Sequence, residues 1–211
     1  MLRISKIMLI CLTGAMLCFS SIVKVKAETT AEVKAENVNL LENGSFETVE
    51  ALDIYPAKKQ AFPGWVINRS LQCNAEFGIS DEDCQEGKHS FKITKNDSDW
   101  MFLTCTARKV ADFTGSYNVS IYIKTKASEI KPQGEVILSI NSWTEKAGNS
   151  NSLRVAKVQG TTDWTRYTAT ISQKNIAFAP DAATWGIVVD AALFKGEIWI
   201  DNVKLSCSDE K

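Results

Sequence analysis

Apolar and polar positions alternate with a period of two along much of this 211-residue chain, which indicates β-strands that bury one face. The clearest segment is 117–125, where Tyr117 and every second residue through Ile123 are apolar. Segment 135–143 divides in the same way into a core face and an outer face. This alternation of inward and outward positions, called parity below, places Tyr122, Asn141 and Trp143 off the core face.

Further short segments rich in β-branched and aromatic residues are separated by turn signals such as 160–163 and 195–196. They cover residues 39–47, 65–80, 88–95, 100–107, 153–159, 164–172, 185–193 and 197–206. No sustained helical periodicity is present. Roughly 170 residues in about eight to ten strands can bury a core between two sheets. The pattern therefore predicts an all-β sandwich.

The first 27 residues have the layout of a secretory signal peptide. Arg3 and Lys6 form a basic start, and segment 7–23 is a mostly apolar run. A retained membrane anchor is the alternative, because the run is close to the shortest length that spans a bilayer. The expected organisation is a signal peptide at 1–27, a charged linker at 28–37 and one module at 38–211, in a secreted, extracellular or periplasmic protein.

The charge of the chain argues against a nucleic-acid partner. Removal of residues 1–27 takes away four basic residues and no acidic residue, which changes the formal net charge from −1 to −5. An acidic protein lacks the basic surface that binds a phosphate backbone. No second apolar run is long enough to span a membrane, so we expect no membrane insertion after cleavage.

Four cysteines remain after the signal peptide: Cys73, Cys84, Cys105 and Cys207. An even number of cysteines in an exported chain predicts two disulfides. Metal ligation is the alternative, but the chain has no CxxC pair after residue 27 and its only histidine is His89.

Several motifs occur in an order that resembles a known family. They are the segments 39–47 (NLLENGSFE), 63–65 (PGW), 87–93 (GKHSFKI), 117–124 (YNVSIYIK), 163–167 (DWTRY) and 196–205 (GEIWIDNVKL). Together they resemble the carbohydrate-binding modules of the family 4/9/22 type, in the galactose-binding-like superfamily. The resemblance covers nearly the whole chain after the signal peptide. It implies a jelly-roll β-sandwich that binds a polysaccharide or an oligosaccharide.

The resemblance also implies a structural calcium ion where the first and last strands meet. Its implied ligands are backbone carbonyls at Ser45 and at Gly87 or Lys88, the carboxylate of Asp201, and Glu47 as a further carboxylate. Calcium binds six to eight hard oxygens, which carbonyls and carboxylates supply. In the alternative interpretation the asparagine–glycine pair of the first motif is only a turn and Asp201 only ends a strand.

A shared ion would place segments 88–95 and 198–206 side by side and antiparallel. That implied register brings Cys207 near Cys84, which favours the pairs Cys84–Cys207 and Cys73–Cys105. The rival pairing is Cys73–Cys84 with Cys105–Cys207, and the sequence leaves both open.

Carbohydrate binding in this fold implies aromatic rings on the concave sheet that stack on sugar rings. Trp143 resembles a position that carries such a ring in related modules, and parity adds Tyr122 and Asn141. Asn68 corresponds to another binding position, but an amide replaces the usual ring there, which implies a shorter or different glycan. Trp65 fits either the core or the cleft, and Trp100 and Trp185, at loop edges, could line a binding rim.

We expect a monomer without catalytic activity. The carboxylates of Glu135, Glu145 and Asp190 could approach the concave sheet, but no paired-carboxylate motif marks them. The chain contains neither a GxSxG nor an HExxH motif. The alternatives are a protein-binding or adhesive domain of the same superfamily and a glycan-degrading enzyme.

Overall fold

The computed structural model describes residues 38–48, 59–128, 134–144, 149–176, 178 and 181–208. They belong to one compact unit, Lys34–Lys211. The expected signal peptide at 1–27 and the expected linker at 28–37 lie outside the described residues. Within those residues, no helix has the length and the apolar character that a membrane crossing requires.

The described residues form twelve strands and one short 3-10 helix, Val110–Asp112. The strands are β1 Lys59–Phe62, β2 Trp65–Arg69, β3 Ala75–Ser80, β4 Ser90–Lys95, β5 Met101–Cys105, β6 Arg108–Lys109, β7 Ser116–Ala127, β8 Glu135–Thr144, β9 Asn149–Gln159, β10 Thr162–Ser172, β11 Ala182–Asp190 and β12 Gly196–Ser208.

The strands form two antiparallel sheets. The seven-stranded sheet has the order β1-β2-β5-β11-β8-β9, with β6 also paired to β11. The five-stranded sheet has the order β10-β7-β12-β4-β3. The two sheets share one hydrophobic core, so the predicted all-β sandwich is confirmed.

The core lies between the inner faces of the two sheets, as the alternation predicts. On β7, Tyr117, Val119, Ile121 and Ile123 are buried. On β8, the buried apolar residues are Val136, Leu138 and Ile140. Because successive side chains of a strand point to opposite faces, the residues between them lie outside.

The first predicted strand, 39–47, is a turn-rich segment attached to β12. The Leu40 amide donates to Leu205 O at 2.7 Å, and the Val203 amide donates to Gly44 O at 2.8 Å. A Cβ at Gly44 would lie 2.1 Å from Val203 O, so the two segments can approach this closely only with glycine there. Tertiary contact with the last strand therefore replaces the regular strand that the composition predicts.

The predicted strand 65–80 is two strands, β2 and β3, which belong to different sheets. The loop between them contains Cys73, whose amide donates to Ser70 O at 3.4 Å. A period-two pattern indicates that residues are extended but does not show where the chain leaves one sheet for the other.

The two expected disulfides are not formed among the described residues, where Cys73, Cys84, Cys105 and Cys207 are all free thiols. The Cys105 sulfur accepts a hydrogen bond from the Ile187 amide of the neighbouring strand at 3.1 Å. Burial raises the pKa of the Cys105 thiol to about 11. Cys105 therefore packs as a small apolar core side chain and faces a strand amide instead of another thiol.

Candidate functional site

A cleft of about 790 Å³ lies on the outer face of the seven-stranded sheet. It crosses β2, β5, β11, β8 and β9, and its lining consists mainly of the side chains that point away from the core. The lining residues include Asn68, Trp100, Phe102, Ile137, Ser139, Asn141, Trp143, Ser152, Arg154 and Asp190. The lining therefore combines aromatic rings with polar side chains.

Trp143 supplies one of the indoles of the cleft, and its position depends on Gly186. The two residues lie on the adjacent strands β8 and β11. A Cβ added to Gly186 would lie 3.3 and 3.4 Å from the Trp143 ring atoms Cζ3 and Cη2. The missing side chain at Gly186 thus lets the indole lie close to the sheet, where it remains half-buried. This arrangement produces a supported ring surface in the cleft.

Asn141 is held by two serine hydroxyls. Its Oδ1 accepts from Ser139 Oγ at 2.9 Å and from Ser152 Oγ at 2.7 Å. Among the described residues, no group accepts a hydrogen bond from its Nδ2. The serines therefore orient the amide and leave a donor for a hydroxyl group in the cleft.

A second aromatic surface stands at the β2–β5 side of the cleft. The rings of Trp100 and Phe102 stack with centroids 5.5 Å apart and an interplanar angle of 26°. Trp100 is 44% exposed, although large indoles are mostly buried. The side chain of Asn68 lies next to this pair, because Asn68 is opposite Phe102 in the sheet.

Lys95 holds the loop that precedes Trp100. Its side chain is fully buried, and its Nζ donates to Asp97 O at 2.6 Å and to Ala192 O at 3.1 Å. Nζ also lies 2.9 Å from Asp97 Oδ1. The ammonium thus connects the β4–β5 loop to the β11–β12 loop and keeps Trp100 at the cleft rim.

Two charged side chains also face the cleft. Burial raises the pKa of Asp190, whose Oδ1 accepts from the Ala192 amide at 2.7 Å. Arg154 is exposed on β9 opposite Ser139. Of the other carboxylates considered from the sequence, Glu135 forms an ion pair with Lys157 at the edge of the sheet, and Glu145 lies outside the described residues.

The structure brings three of the predicted sugar-binding residues together: Asn68, Asn141 and Trp143 all line the cleft. Trp65 does not. It is 1% exposed in the core, where its Nε1 donates to Asn43 O at 3.2 Å. Parity explains the difference, because Trp65 and Ile67 are buried whereas Asn68 points outward.

Tyr122 also lies elsewhere. It is off the core face, as predicted, but β7 belongs to the five-stranded sheet. The Arg166 guanidinium lies 6.0 Å above its ring. Parity shows that a residue points away from the core but does not show which sheet carries it.

Trp185, one of the two loop-edge rings considered for a binding rim, is 1% exposed in the core. Trp100 was expected only as part of such a rim and Phe102 was not singled out, although a sequence signal exists for both. They alternate with the buried residues Met101 and Leu103. The same parity that placed Trp143 outside would therefore have placed these rings on an outer face.

The predicted calcium ligands gather around the loop 84–89. The Glu47 Oε1 accepts from the Lys88 amide at 2.8 Å and from the His89 amide at 3.0 Å. Gly87 has a φ of +76°, and a Cβ there would lie 2.2 Å from Glu47 Oε1. Ser45 lies two residues before Glu47 in the turn-rich segment and is exposed.

Asp201 reaches the same loop from a bulge in β12. Its Oδ2 accepts from the amides of Gln85 and Glu86 at 2.9 and 3.0 Å, and its carboxylate is fully buried. Burial raises the pKa of Asp201, and the nearby Glu47 carboxylate raises it further. Two neighbouring carboxylates and several loop carbonyls have the oxygen chemistry that suits calcium. Within the described residues, no three His, Cys, Asp or Glu side chains form a metal cluster, so carbonyls would have to complete the ligand set.

A family model described as a carbohydrate binding domain matches residues 38–181. The fold is similar to the CBM22-1 xylan-binding domain from Paenibacillus barcinonensis Xyn10C, with a TM-score of 0.55, 14% identity, and coverage of 83% of this chain and 98% of that one. A second xylan-binding domain from CBM 22 has a TM-score of 0.53 and 11% identity, and the match covers 82% of this chain and 97% of that one.

The enzymatically active domain of tailspike protein 4 from Bacteriophage CBA120 is also similar, with a TM-score of 0.53 and 14% identity. That match covers 80% of this chain but only 21% of the tailspike chain. At these identities the structural likeness concerns the fold. No curated protein matches the sequence.

Proposed function

The chain belongs to the family of carbohydrate binding domains, and from this premise we propose that it binds a polysaccharide or an oligosaccharide, without catalysis, in the cleft of the seven-stranded sheet. The observation that carries the proposal is the Trp143 indole, which is supported by the bare backbone of Gly186 and flanked by Asn141. A supported ring next to an oriented amide suits the apolar face and the hydroxyl groups of a sugar ring.

The remaining cleft residues extend this binding mode. Asn68 and Asn141 can donate to sugar hydroxyls, while Trp100 and Phe102 form a second apolar surface at the β2–β5 side. The two surfaces lie on opposite sides of β11, which separates β5 from β8 in the sheet. A glycan that contacts both would cross the strands instead of running along one of them.

The test is glycan binding by the full chain and by Trp143→Ala. The probes are immobilised neutral polysaccharides, including xylan, because two similar domains are described as xylan-binding. Loss of a central aromatic contact costs about 2 kcal/mol, which corresponds to about 30-fold weaker binding. Trp143→Phe keeps a ring and is expected to retain part of the affinity.

The matched control is Tyr122→Ala, which removes an outward ring from the other sheet and is expected to leave this binding unchanged. Equal affinity of Trp143→Ala and the parent chain for every neutral glycan that the parent binds would contradict the assignment. Reducing-sugar release from the same panel tests the absence of catalysis, and turnover by the parent chain would refute it.

A structural calcium ion is the second part of the proposal. Glu47 and Asp201 would supply carboxylate oxygens, and carbonyls at Ser45, Gly87 and Lys88 would complete the set. The support is the buried Asp201 carboxylate beside Glu47, since like charges at one place favour a cation between them. The ion would stabilise the junction of the turn-rich segment with β12 and would play no part in sugar chemistry.

Addition of a chelator to the full chain is expected to lower the melting temperature, because a ligand that binds the folded state stabilises it. Calcium should restore the original value, and magnesium should not, because magnesium requires smaller octahedral sites. Asp201→Asn should remove the difference between the chelated and the calcium-loaded protein. A melting curve that calcium leaves unchanged contradicts this part of the proposal.

Export of the chain is the third part. It rests on the signal-peptide layout of residues 1–27 and on the carbohydrate-binding family, whose ligands lie mostly outside cells. Mass spectrometry of the protein recovered from the producing cells should find an N-terminus close to residue 28. A mature protein that keeps Arg3 and Lys6 would contradict cleavage.

A further inference from the structure

A second groove, of about 640 Å³, lies on the outer face of the five-stranded sheet, on the side of the sandwich opposite to the cleft. It crosses β10, β7 and β12. We call it the basic groove and define it by Asn118, Ser120, Arg166, Thr168, Lys204 and Ser206. It shares no lining residue with the cleft.

Strand register arranges the polar side chains of the basic groove in rows. Thr168 on β10 is opposite Ser120 on β7, which in turn is opposite Lys204 on β12. One step along the groove, Asn118 lies between Thr170 and Ser206. Residues directly opposite each other in antiparallel strands have neighbouring side chains on the same face, so each row presents polar groups across three strands.

The charge of the basic groove is positive. Arg166 and Lys204 contribute two cations, and none of its lining residues is acidic. Arg166 forms no ion pair with any described residue, and its guanidinium is held over the Tyr122 ring. Lys204 lies 4.0 Å from Glu86 in a contact whose side chains are both more than half exposed. Such a contact is too exposed to neutralise the ammonium group.

The remaining groups of the basic groove are hydroxyls and amides. Thr170 Oγ1 donates to Asn118 Oδ1 at 2.9 Å, which orients that amide. Asn39 closes one end with a fixed side chain, since its Nδ2 donates to Val203 O and its Oδ1 accepts from the amides of Leu41 and Leu205. Hydroxyls beside cations match a ligand that carries both hydroxyl and oxyanion groups.

We propose that the basic groove is a second glycan site that binds an acidic oligosaccharide segment through Arg166 and Lys204, independently of the cleft. The ligand chemistry is a polyhydroxylated chain with carboxylate or sulfate groups. None of the described residues that line the groove carries an aromatic ring, and Arg166 covers the ring of the nearby Tyr122. Charge and hydrogen bonding therefore dominate the recognition. A nucleic acid fits less well, because the groove has no open rings for base stacking.

The experiment measures binding of the full chain to a polygalacturonate oligomer, a sulfated dextran oligomer and an uncharged oligosaccharide of similar length. The variant Arg166→Gln/Lys204→Gln removes both cations of the groove. Lys109→Gln/Lys174→Gln removes the same charge from two exposed positions that do not line it. Melting curves of both double variants check that the fold is intact.

The parent chain should bind at least one acidic probe, and added salt should weaken that binding. Arg166→Gln/Lys204→Gln should lower the affinity by about tenfold or more, because each charge-assisted contact is strong, and the control pair should leave it nearly unchanged. The Trp143→Ala variant should keep acidic binding. Preference for polygalacturonate identifies carboxylate as the group that is bound, and preference for sulfated dextran identifies sulfate.

Four outcomes overturn the proposal. The first is that neither acidic probe binds, and the second is that the two double variants lose affinity equally. The third is that Trp143→Ala loses acidic binding. The fourth is that a single-stranded oligonucleotide binds as tightly and with the same sensitivity to Arg166→Gln/Lys204→Gln. Failure of neutral binding in the cleft leaves these measurements unaffected, so the two sites are tested separately.

Discussion

The two outer faces of the sandwich contrast in chemistry although both are built from alternating strands. The face with the cleft exposes Trp143 and the Trp100–Phe102 pair beside amides and hydroxyls. The opposite face carries Arg166 and Lys204 among threonines and serines. Ring surfaces suit the uncharged faces of sugars, whereas cations suit oxyanions. One module thus has two surfaces that differ in the ligand chemistry they favour.

Trp199 sharpens the contrast, because it is a tryptophan on the outer side of the five-stranded sheet that its neighbours cover. The Lys92 and Lys124 ammonium groups lie 5.0 and 6.0 Å from its ring centroid, and it is only 6% exposed. Trp143 instead lies over Gly186, which has no side chain to cover it. The neighbours across the strands decide whether an outward ring is covered or stays partly open.

The largest expected effect comes from Lys95→Met, which removes the anchor of the loop before Trp100 on the side of the cleft. Removal of one partner of a buried ion pair costs about 3 kcal/mol of unfolding free energy. Asp97 and Ala192 O would lose their shared partner, and the loop before Trp100 would lose its anchor. Denaturant unfolding measures the cost.

Asp97→Asn is the companion variant for Lys95→Met, since it keeps a carbonyl oxygen for the ammonium and should cost less. Neutral-glycan binding of Lys95→Met at low temperature, where the variant remains folded, should decrease relative to Asp97→Asn. If Lys95→Met unfolds at the same denaturant concentration as the parent chain, the anchoring role of Lys95 is contradicted.

A smaller effect is expected from Gly186→Ala, which disturbs only the support of Trp143. The added methyl group would meet the indole at 3.3 Å and tilt it from its preferred rotamer. A distortion of this kind costs about 1 kcal/mol, or about fivefold in affinity. Neutral-glycan affinity and the fluorescence of the indole are the readouts.

The control for Gly186→Ala is Gly78→Ala on β3, where an added methyl group meets no atom within 4 Å. That variant should bind as the parent chain does. Unchanged glycan affinity in Gly186→Ala as well would show that the Trp143 site does not depend on the missing side chain at Gly186.

The smallest effect is expected from Asp190→Asn and concerns pH. Burial raises the pKa of Asp190 in the folded state, so the folded protein binds a proton more readily than the unfolded chain. Above that raised pKa the charged carboxylate therefore destabilises the fold, and this penalty fades as the pH falls through it. Asp190→Asn keeps an acceptor for the Ala192 amide and should raise the melting temperature slightly at neutral pH.

The gain from Asp190→Asn should shrink as the pH approaches the raised pKa of the wild-type carboxyl group. Melting curves of both proteins from pH 4 to pH 7 measure it. A difference that is constant over this range, or a lower melting temperature for Asp190→Asn at pH 7, would contradict the assigned direction of the shift.

The alternation of apolar and polar residues was sufficient to predict the sandwich, the core face of β7 and β8, and the outward position of Trp143 and Asn141. Each of these follows from local geometry, because neighbouring side chains on a strand point to opposite faces whatever the strand pairs with. The same parity was available for Trp100 and Phe102.

The partners of each strand could not be obtained in this way. Tyr122 and Trp143 satisfy one and the same parity rule, yet they lie on opposite sides of the molecule because β7 and β8 belong to different sheets. The free thiol of Cys105 likewise depends on Ile187, a residue 82 positions away that becomes its neighbour only through strand pairing.

Alternation along a single strand thus specifies inside and outside, since that choice depends only on the backbone of that strand. The chemistry of each outer face required the folded arrangement. Gly186 lies beneath the indole of Trp143, and Arg166 lies over the ring of Tyr122, because hydrogen bonds between strands that are distant in the chain set their register. Those hydrogen bonds join backbone groups that are identical at nearly every residue, so the side-chain pattern of one strand does not show which other strand it pairs with.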